Sequence, residues 1–240
     1  MPYALCLTTA SAKSDTTISA QKPKAIYDVS YQRHDENLLT GIDTSIFQLH
    51  RNDFVRRDGA EYFNLGNSGT AAYPIIFQPT ATSGLTAGFR QFDVYRYTRD
   101  SMRYYHALRP YTEINYVIGL NQEQIFRGRF FHSTKSGFDY GTDFYYLNSP
   151  GTYTHQRAVD AGFYLYGKYH AKNYRWNVFT DLVFNHFKTL DNAGLQKDYF
   201  ATDTSFFSKT LTPVKLDSAQ NTYSDWNWFL GADYHLGKTI

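Results

Sequence analysis

The stretch Trp176-Asn177-Val178-Phe179-Thr180-Asp181-Leu182-Val183-Phe184-Asn185 alternates between two kinds of side chain. Its even positions are apolar or nearly so, and Asn177, Asp181 and Asn185 occupy the opposite face. The stretch Phe138–Tyr146 repeats the pattern with an aromatic face and an acidic face. Side chains of a β-strand alternate with a period of two, so both stretches predict two-faced strands. Such strands belong either to a sheet packed on a soluble core or to the wall of a transmembrane barrel around water.

Strand length and turn length separate these alternatives. A tilted strand needs about 9–11 residues to cross a bilayer, whereas soluble strands average about five or six. Short turns alternate with longer connections, and residues 188–221 read as a polar external loop. The regular runs lie at Tyr111–Leu120, Glu123–His132, Gly137–Asn148, Val159–His170 and Tyr174–Phe187, with a last alternating run at Trp226–Leu236. The predicted fold is therefore all-β, an antiparallel transmembrane β-barrel sheet with about five to seven strands, too few to close a barrel.

Composition excludes several other classes. Aromatic residues make up 18% of the chain, with 22 Tyr and 19 Phe, which suits strands whose side chains meet both apolar and wet surroundings. The net charge of +2 gives no sign of a nucleic-acid partner or a polybasic membrane patch. No run of 18 apolar residues is present, so a helical membrane span is excluded.

The chain divides into three predicted parts. Residues 1–12 read as the remnant of a signal peptide, because Ala10-Ser11-Ala12 has the small-x-small form of a cleavage site, although a coincidental apolar start is the alternative. Residues 13–110 form an irregular segment before the barrel, and residues 111–240 carry the barrel strands. The last run stops at Ile240 without a closing aromatic residue, so we expect an N-terminal fragment of a longer barrel.

Two parts of the pre-barrel segment leave alternatives open. Residues 34–70 could be a pre-barrel segment, an inner plug or a periplasmic strap. The stretch Arg96–Arg109 is rich in arginine and tyrosine, which could bind nucleic-acid bases. Loop or rim positions with solvated arginines are favoured for it at this net charge.

The alternation assigns side chains to the two faces of the predicted wall. Those expected to face water in the lumen are Glu113, Asn115, Arg127, Arg129, Asp139, Asp143, Asn177, Asp181 and Asn185. Those expected to face lipid are Tyr116, Phe130, Tyr140, Tyr146, Tyr169, Trp176 and Phe184. Opposed charges on the inner face would tune ion selectivity, and the outer aromatics near strand ends would form interfacial girdles.

Three blocks of sequence also resemble a known family. Ile42-Asp-Thr-Ser45, Tyr62–Phe77 and Arg109–Gly119 with Glu123–Phe126 follow one another as in the "putative porin" family of Bacteroidota-type outer membranes. The resemblance covers about residues 40–190. It implies an outer-membrane β-barrel that acts as a diffusion pore, in a protein longer than this chain, and it carries over no catalytic residue.

The expected function is passive diffusion of small hydrophilic solutes across the outer membrane, with outer-membrane lipid as the other partner. A barrel without an open pore, serving structure, assembly or secretion, is the alternative. The histidines stand singly, without the spacing of a metal site, and no nucleophile or phosphate-binding motif occurs. We therefore expect no enzyme activity, no cofactor and no metal. An oligomer is possible but is not readable from the sequence.

Overall fold

The computed structural model describes residues 29–33, 40–41, 62–76, 90–99, 102–172, 175–197, 212–234 and 236. Predictions for residues 1–12, 34–39, 42–61 and 237–240 lie outside these ranges. The strands are β1 Val29–Arg33, β2 Thr40–Gly41, β3 Tyr62–Asn64, β4 Ala72–Pro74, β5 Arg103–Ala107, β6 Tyr111–Ile118, β7 Gln124–Ser133, β8 Phe138–Ser149, β9 Ala158–His170, β10 Trp176–Leu190 and β11 Gln220–Tyr234. No helix in the described ranges is long and apolar enough to span a membrane.

Strands β6 to β11 form a six-stranded sheet, here called the wall sheet, in which each strand pairs antiparallel with the next along the chain. The predicted all-β, antiparallel fold is confirmed, and all six predicted runs are strands with ends displaced by a few residues. The longest, β10 and β11, have 15 residues each. In the described ranges β6 and β11 each pair on one side only, so the sheet is not closed, which agrees with an incomplete barrel.

Tight turns link some strands and long connections link others. The predicted turn at Asn121-Gln122 is confirmed: both residues have positive φ, and Gly119 N donates to Glu123 O at 2.8 Å. Residues 134–137 join β7 to β8, and residues 171–175 join β9 to β10 at the same end of the sheet. The long connection after β10 lies at the opposite end, where Leu195 bridges Val214 across its described parts.

The wall sheet has two faces of different composition. Residues that are direct partners in neighbouring strands project from the same face of a sheet. The register therefore gathers large apolar side chains on one face, here called the outer face, and many of them are exposed, including Ile118 at 69% and Trp228 at 71%. The opposite face, here called the inner face, holds most of the buried polar and aromatic side chains.

An N-terminal stretch covers the inner face. This inner segment, residues 90–99 and 102–107, contributes Tyr95, Tyr97, Tyr104 and Tyr105 to one buried cluster with aromatic side chains of the wall sheet. Its strand β5 pairs antiparallel with β1, and β1 pairs with β2. The aromatic residues of the inner segment thus form a core with the wall sheet rather than a separate domain.

Candidate functional site

The structure places each predicted group of side chains on one face. All nine residues predicted for the lumen project from the inner face, and all seven predicted for lipid project from the outer face. Five members of the inner group are at most 8% exposed, because the inner segment and neighbouring side chains cover them: Arg127, Asp139, Asp143, Asp181 and Asn185. Whether this face bounds a lumen stays a prediction.

Side chains of the wall bind the backbone of the inner segment. Asn185 accepts a hydrogen bond from Tyr97 N at 2.7 Å and donates one to Tyr97 O at 3.0 Å. Tyr145 Oη donates to Tyr95 O at 2.8 Å. Buried backbone N–H and C=O groups need partners. The wall supplies these partners through side chains, because its own backbone groups are used within the sheet.

Strand β5 is held in the same way along the edge that does not pair with β1. Ala107 N donates to Ser133 Oγ at 2.8 Å, and Tyr105 N donates to Tyr166 Oη at 3.1 Å. Stacked rings reinforce this contact, with the Tyr105 and Phe131 centroids 4.4 Å apart. Aromatic pairs at such distances add about 0.5–1.5 kcal/mol beyond their area burial. The inner segment is thereby fixed in a defined register on the wall.

One buried hydrogen bond runs in the opposite direction, from the inner segment to the wall. Tyr104 Oη donates to Asp181 Oδ2 at 2.6 Å. Burial raises the pKa of the Tyr104 hydroxyl well above its ordinary value, and the hydrogen bond to the Asp181 carboxylate raises it further. The hydroxyl therefore keeps its proton and remains a donor across the physiological pH range.

A charged network links the first three strands of the wall on the inner face. Arg127 meets Asp143 in a fork, with Nε–Oδ1 at 3.0 Å and Nη2–Oδ2 at 2.7 Å. Arg129 bridges Asp143 and Glu113 at 3.2 and 3.4 Å. Bidentate guanidinium–carboxylate pairs are the strong members of their class. The two arginines and the two carboxylates of this network thus neutralise one another within the sheet.

Glycines on the inner face make room for aromatic rings. A Cβ added at Gly162 would collide with the Tyr145 ring and lie 2.7 Å from the Tyr97 ring. A Cβ added at Gly141 would lie 2.7 Å from the Tyr166 ring. These two glycines let Tyr145 and Tyr166 lie across the neighbouring strand and present their hydroxyl groups to the inner segment.

A half-open cavity of about 340 Å³ lies between the inner segment and the wall. It is at the end of the sheet where residues 134–137 and 171–175 connect strands. Seven side chains, all of them polar or polar-tipped, line it: Gln32, Tyr104, His106, Asp139, Lys168, His170 and Asn177. Strands β1, β5, β8, β9 and β10 contribute to this lining, so the cavity exists only when the inner segment is seated on the wall.

Contacts within the lining fix several of these groups. His106 Nδ1 lies 3.1 Å from Asp139 Oδ1, and Lys168 Nζ donates to Gln32 Oε1 at 2.5 Å. Both contacts join a residue of β1 or β5 to a residue of the wall. No group of three or more His, Cys, Asp or Glu side chains in the described ranges is arranged to hold a metal ion.

Comparison with known proteins identifies the family. The sequence profile of the family described as "Putative porin" matches residues 25–240. The chain belongs to this family. No curated protein and no solved structure matches it. The match extends the resemblance noted at residues 40–190 in both directions, and it covers the inner segment as well as the wall sheet of this porin-family chain.

Sequence reasoning was wrong about part of the inner segment. The favoured interpretation of Arg96–Arg109 as loop or rim fails for its tyrosines, since Tyr97, Tyr104 and Tyr105 are at most 6% exposed. The arginines pack on rings as well, with Arg99 Cζ 3.7 Å from the Phe229 centroid. In such a cation–π contact the guanidinium lies over the ring face, and the aliphatic stem of the arginine packs on the apolar surface beside it.

A signal for this packing was present in the sequence. Tyr145, Tyr164 and Tyr166 fall on the polar face of the alternation, where a wall open to water would have no need of three large rings. Their hydroxyl groups all bond backbone atoms of the inner segment. Aromatic residues on the wet face of a two-faced strand therefore indicate a covering segment. No comparable pattern in the sequence indicated that Gln32, His106, Lys168 and His170 would line a cavity.

Proposed function

We propose that this chain is part of an outer-membrane β-barrel through which small hydrophilic solutes diffuse passively. Family membership supports the porin-like role and the outer-membrane location. The observation that carries the proposal is the separation of the two faces of the wall sheet. A protein wall between lipid and water needs an apolar outside and a polar inside on the same strands.

The outer face suits contact with lipid. Ile114, Leu165, Trp226 and Leu230 are exposed there at between 43% and 68%, on three different strands. Soluble monomers seldom expose contiguous apolar patches above a few hundred square ångströms. Hydrocarbon is the surrounding that makes such a face favourable. Trp176, whose ring packs at a tilt against that of Tyr234 near a strand end, fits an interfacial position.

The inner face suits passage of polar solutes beside the inner segment. Some of its charges are paired, as in the Arg127–Asp143 fork, and the cavity beside them is lined by polar residues such as Lys168 and Asn177. No described feature requires covalent chemistry, and we propose that the protein is not an enzyme.

One observation favours the second candidate, a barrel without an open pore that serves structure, assembly or secretion. The inner segment occupies the inner face and is held by buried hydrogen bonds such as that between Tyr97 and Asn185. If the rest of the barrel closed tightly around this segment, no path would remain.

Conductance separates the two candidates. The protein expressed from its complete reading frame is inserted in planar bilayers, and single-channel currents are recorded. The proposed function predicts discrete conductance steps together with swelling of vesicles in neutral sugars. Silent bilayers and vesicles that do not swell, from protein that is folded and inserted, would overturn diffusion and favour the second candidate.

A further inference from the structure

We propose that a cation with oxygen ligands, best matched by Ca²⁺, binds between the wall sheet and the turn at residues 67–70. The site lies at the end of the sheet where the long connection after β10 begins. It is carried by buried side-chain oxygens that accept no hydrogen bond from the described ranges: Asn67 Oδ1, Asp160 Oδ1 and Oδ2, and Thr189 Oγ1. The inference goes beyond the proposed diffusion function and does not depend on it.

Asp160 is the centre of this group of oxygens. Its side chain has no exposed surface, and among the described residues no cationic side chain pairs with it. Moving an ionised carboxylate out of water is costly unless another group compensates its charge. Buried carboxylates are therefore paired with a cationic side chain or bound to a metal ion. With no such side chain in the described ranges, a metal ion is the compensating group that fits Asp160.

The strand register brings Thr189 close to Asp160. Asp160 on β9 pairs with Phe187 on β10, and Thr189 pairs with Ala158, two residues along on the same face. Thr189 and Asp160 are therefore diagonal neighbours, about 7–8 Å apart or less. Ala158 has a small side chain, so it leaves room between them. An ion about 2.3–2.6 Å from each oxygen spans the gap that remains once both side chains reach inward.

The turn at residues 67–70 covers this group from the other side. Asn67 Nδ2 donates to Gln156 O at 2.9 Å and to Ser149 Oγ at 3.3 Å, so its amide is held in place by its nitrogen. A Cβ added at Gly69, whose φ is +80°, would lie 2.7 Å from Asp160 Oδ2. The turn thus passes directly over the carboxylate, and glycine is the residue that permits so close an approach.

The chemistry of the donors selects the kind of cation. All four atoms are oxygens, which favours hard cations over the metals that prefer nitrogen or sulfur. Ca²⁺ accepts both oxygens of one carboxylate together with neutral oxygens, whereas Mg²⁺ usually keeps several water molecules and requires a stricter geometry. A site closed to solvent therefore suits Ca²⁺. Because it holds one carboxylate, we expect weak binding, with a Kd of about 10⁻⁴–10⁻³ M.

The site is tested by ligand-dependent stability, without any measurement of conduction. The complete protein is folded in micelles of a neutral detergent, and its urea unfolding midpoint is measured in EDTA and at rising CaCl₂ or MgCl₂. An ion that binds the folded state alone raises the midpoint as its concentration passes the Kd. We expect the midpoint to rise with CaCl₂, and to rise much less with MgCl₂ at the same concentration.

Two variants and one control assign the response to these residues. Asp160→Asn keeps the size of the side chain and should abolish the response to CaCl₂. In EDTA it should unfold no more easily than the unchanged protein, because the carboxylate has no partner to lose. Thr189→Val should weaken Ca²⁺ binding at least roughly fivefold, as for one lost polar contact. Asp217→Asn changes an exposed carboxylate at the same end of the sheet and should leave the response unchanged.

The outcomes are distinct. A midpoint that stays constant up to about 10 mM CaCl₂, roughly ten times the weakest expected Kd, overturns the site. A response that Asp160→Asn retains also overturns it, and an equal response to MgCl₂ overturns the assignment to Ca²⁺. If Asp160→Asn does not fold, Thr189→Val decides the matter, because an unchanged Ca²⁺ affinity in that variant contradicts the site.

Discussion

Asn185 binds the backbone of Tyr97 through both halves of its side-chain amide, accepting from the N–H at 2.7 Å and donating to the C=O at 3.0 Å. The amide thereby imitates the edge of a neighbouring strand. Asn185 is fully buried, so neither group of Tyr97 has water as a substitute partner. The Asn185 side chain thus pairs both backbone polar groups of Tyr97, as a neighbouring strand would.

Replacing Asn185 should loosen the inner segment. Asn185→Leu leaves a buried N–H and a buried C=O unpaired, at about 1–3 kcal/mol each. The segment should open at least roughly tenfold more often, and trypsin should cleave at Arg96 and Arg99 correspondingly faster in protein folded in vesicles. Asn221→Leu, at an exposed position on the inner face of β11, is the matched control and should leave the cleavage rate unchanged. Equal rates for the two variants would contradict the role of Asn185.

A charge on the outer face should destabilise insertion. Leu182 lies on the outer face in the middle of β10, opposite Leu165 and Trp228. Leu182→Arg should cost about 2–4 kcal/mol, and Gln220→Arg at the end of β11 about 0–1 kcal/mol, because the penalty depends on depth. Urea unfolding of each variant from lipid vesicles measures its loss in free energy of unfolding. Similar costs at the two positions would show that the outer face does not meet hydrocarbon.

Two glycines of β9 should respond differently to alanine. Gly162→Ala forces its new methyl group into the ring of Tyr145, whereas Gly167→Ala meets Thr180 Cγ2 at 3.4 Å, an ordinary contact. Overpacking typically costs about 1–3 kcal/mol. We expect Gly162→Ala alone to lower the unfolding midpoint and the near-ultraviolet circular dichroism of the aromatic cluster. A Gly167→Ala variant at least as unstable would contradict the aromatic packing described here.

Breaking the buried ion pair should be costly. Asp143→Ala leaves the guanidinium of Arg127, which is 8% exposed, without its forked partner. Losing one partner of a buried pair costs about 3–5 kcal/mol. Glu113→Gln, at the more exposed end of the network, should cost at most about 1 kcal/mol. Equilibrium unfolding in urea measures the loss in free energy of unfolding for each variant. Equal losses would mean that the Arg127–Asp143 fork contributes no more than the exposed Arg129–Glu113 pair.

The sequence predicted the wall sheet well because strand periodicity is a local property. Every alternating run from Tyr111 onward is a strand, and the two faces hold the residues assigned to them. The covering segment was not predicted because its contacts join distant parts of the chain. Tyr97 and Asn185 are 88 residues apart, and no period of two or of 3.6 connects them.

The cavity could not be predicted for the same reason. His106 and Asp139 come from different sheets, and Gln32 is 136 residues from Lys168. Each of these side chains looks like an ordinary solvated residue in its own neighbourhood. Only the seating of β5 and β1 on the inner face brings them within hydrogen-bond distance.

The bonds from Tyr145, Tyr166 and Ser133 reach main-chain atoms of the inner segment rather than its side chains. Main-chain atoms are the same for every amino acid except proline at its nitrogen. The wall therefore holds the path of the inner segment through its main chain, and contacts such as the stacking of Tyr105 on Phe131 hold its side chains. Substitutions at the exposed side chains of the inner segment should therefore leave its path along the wall unchanged.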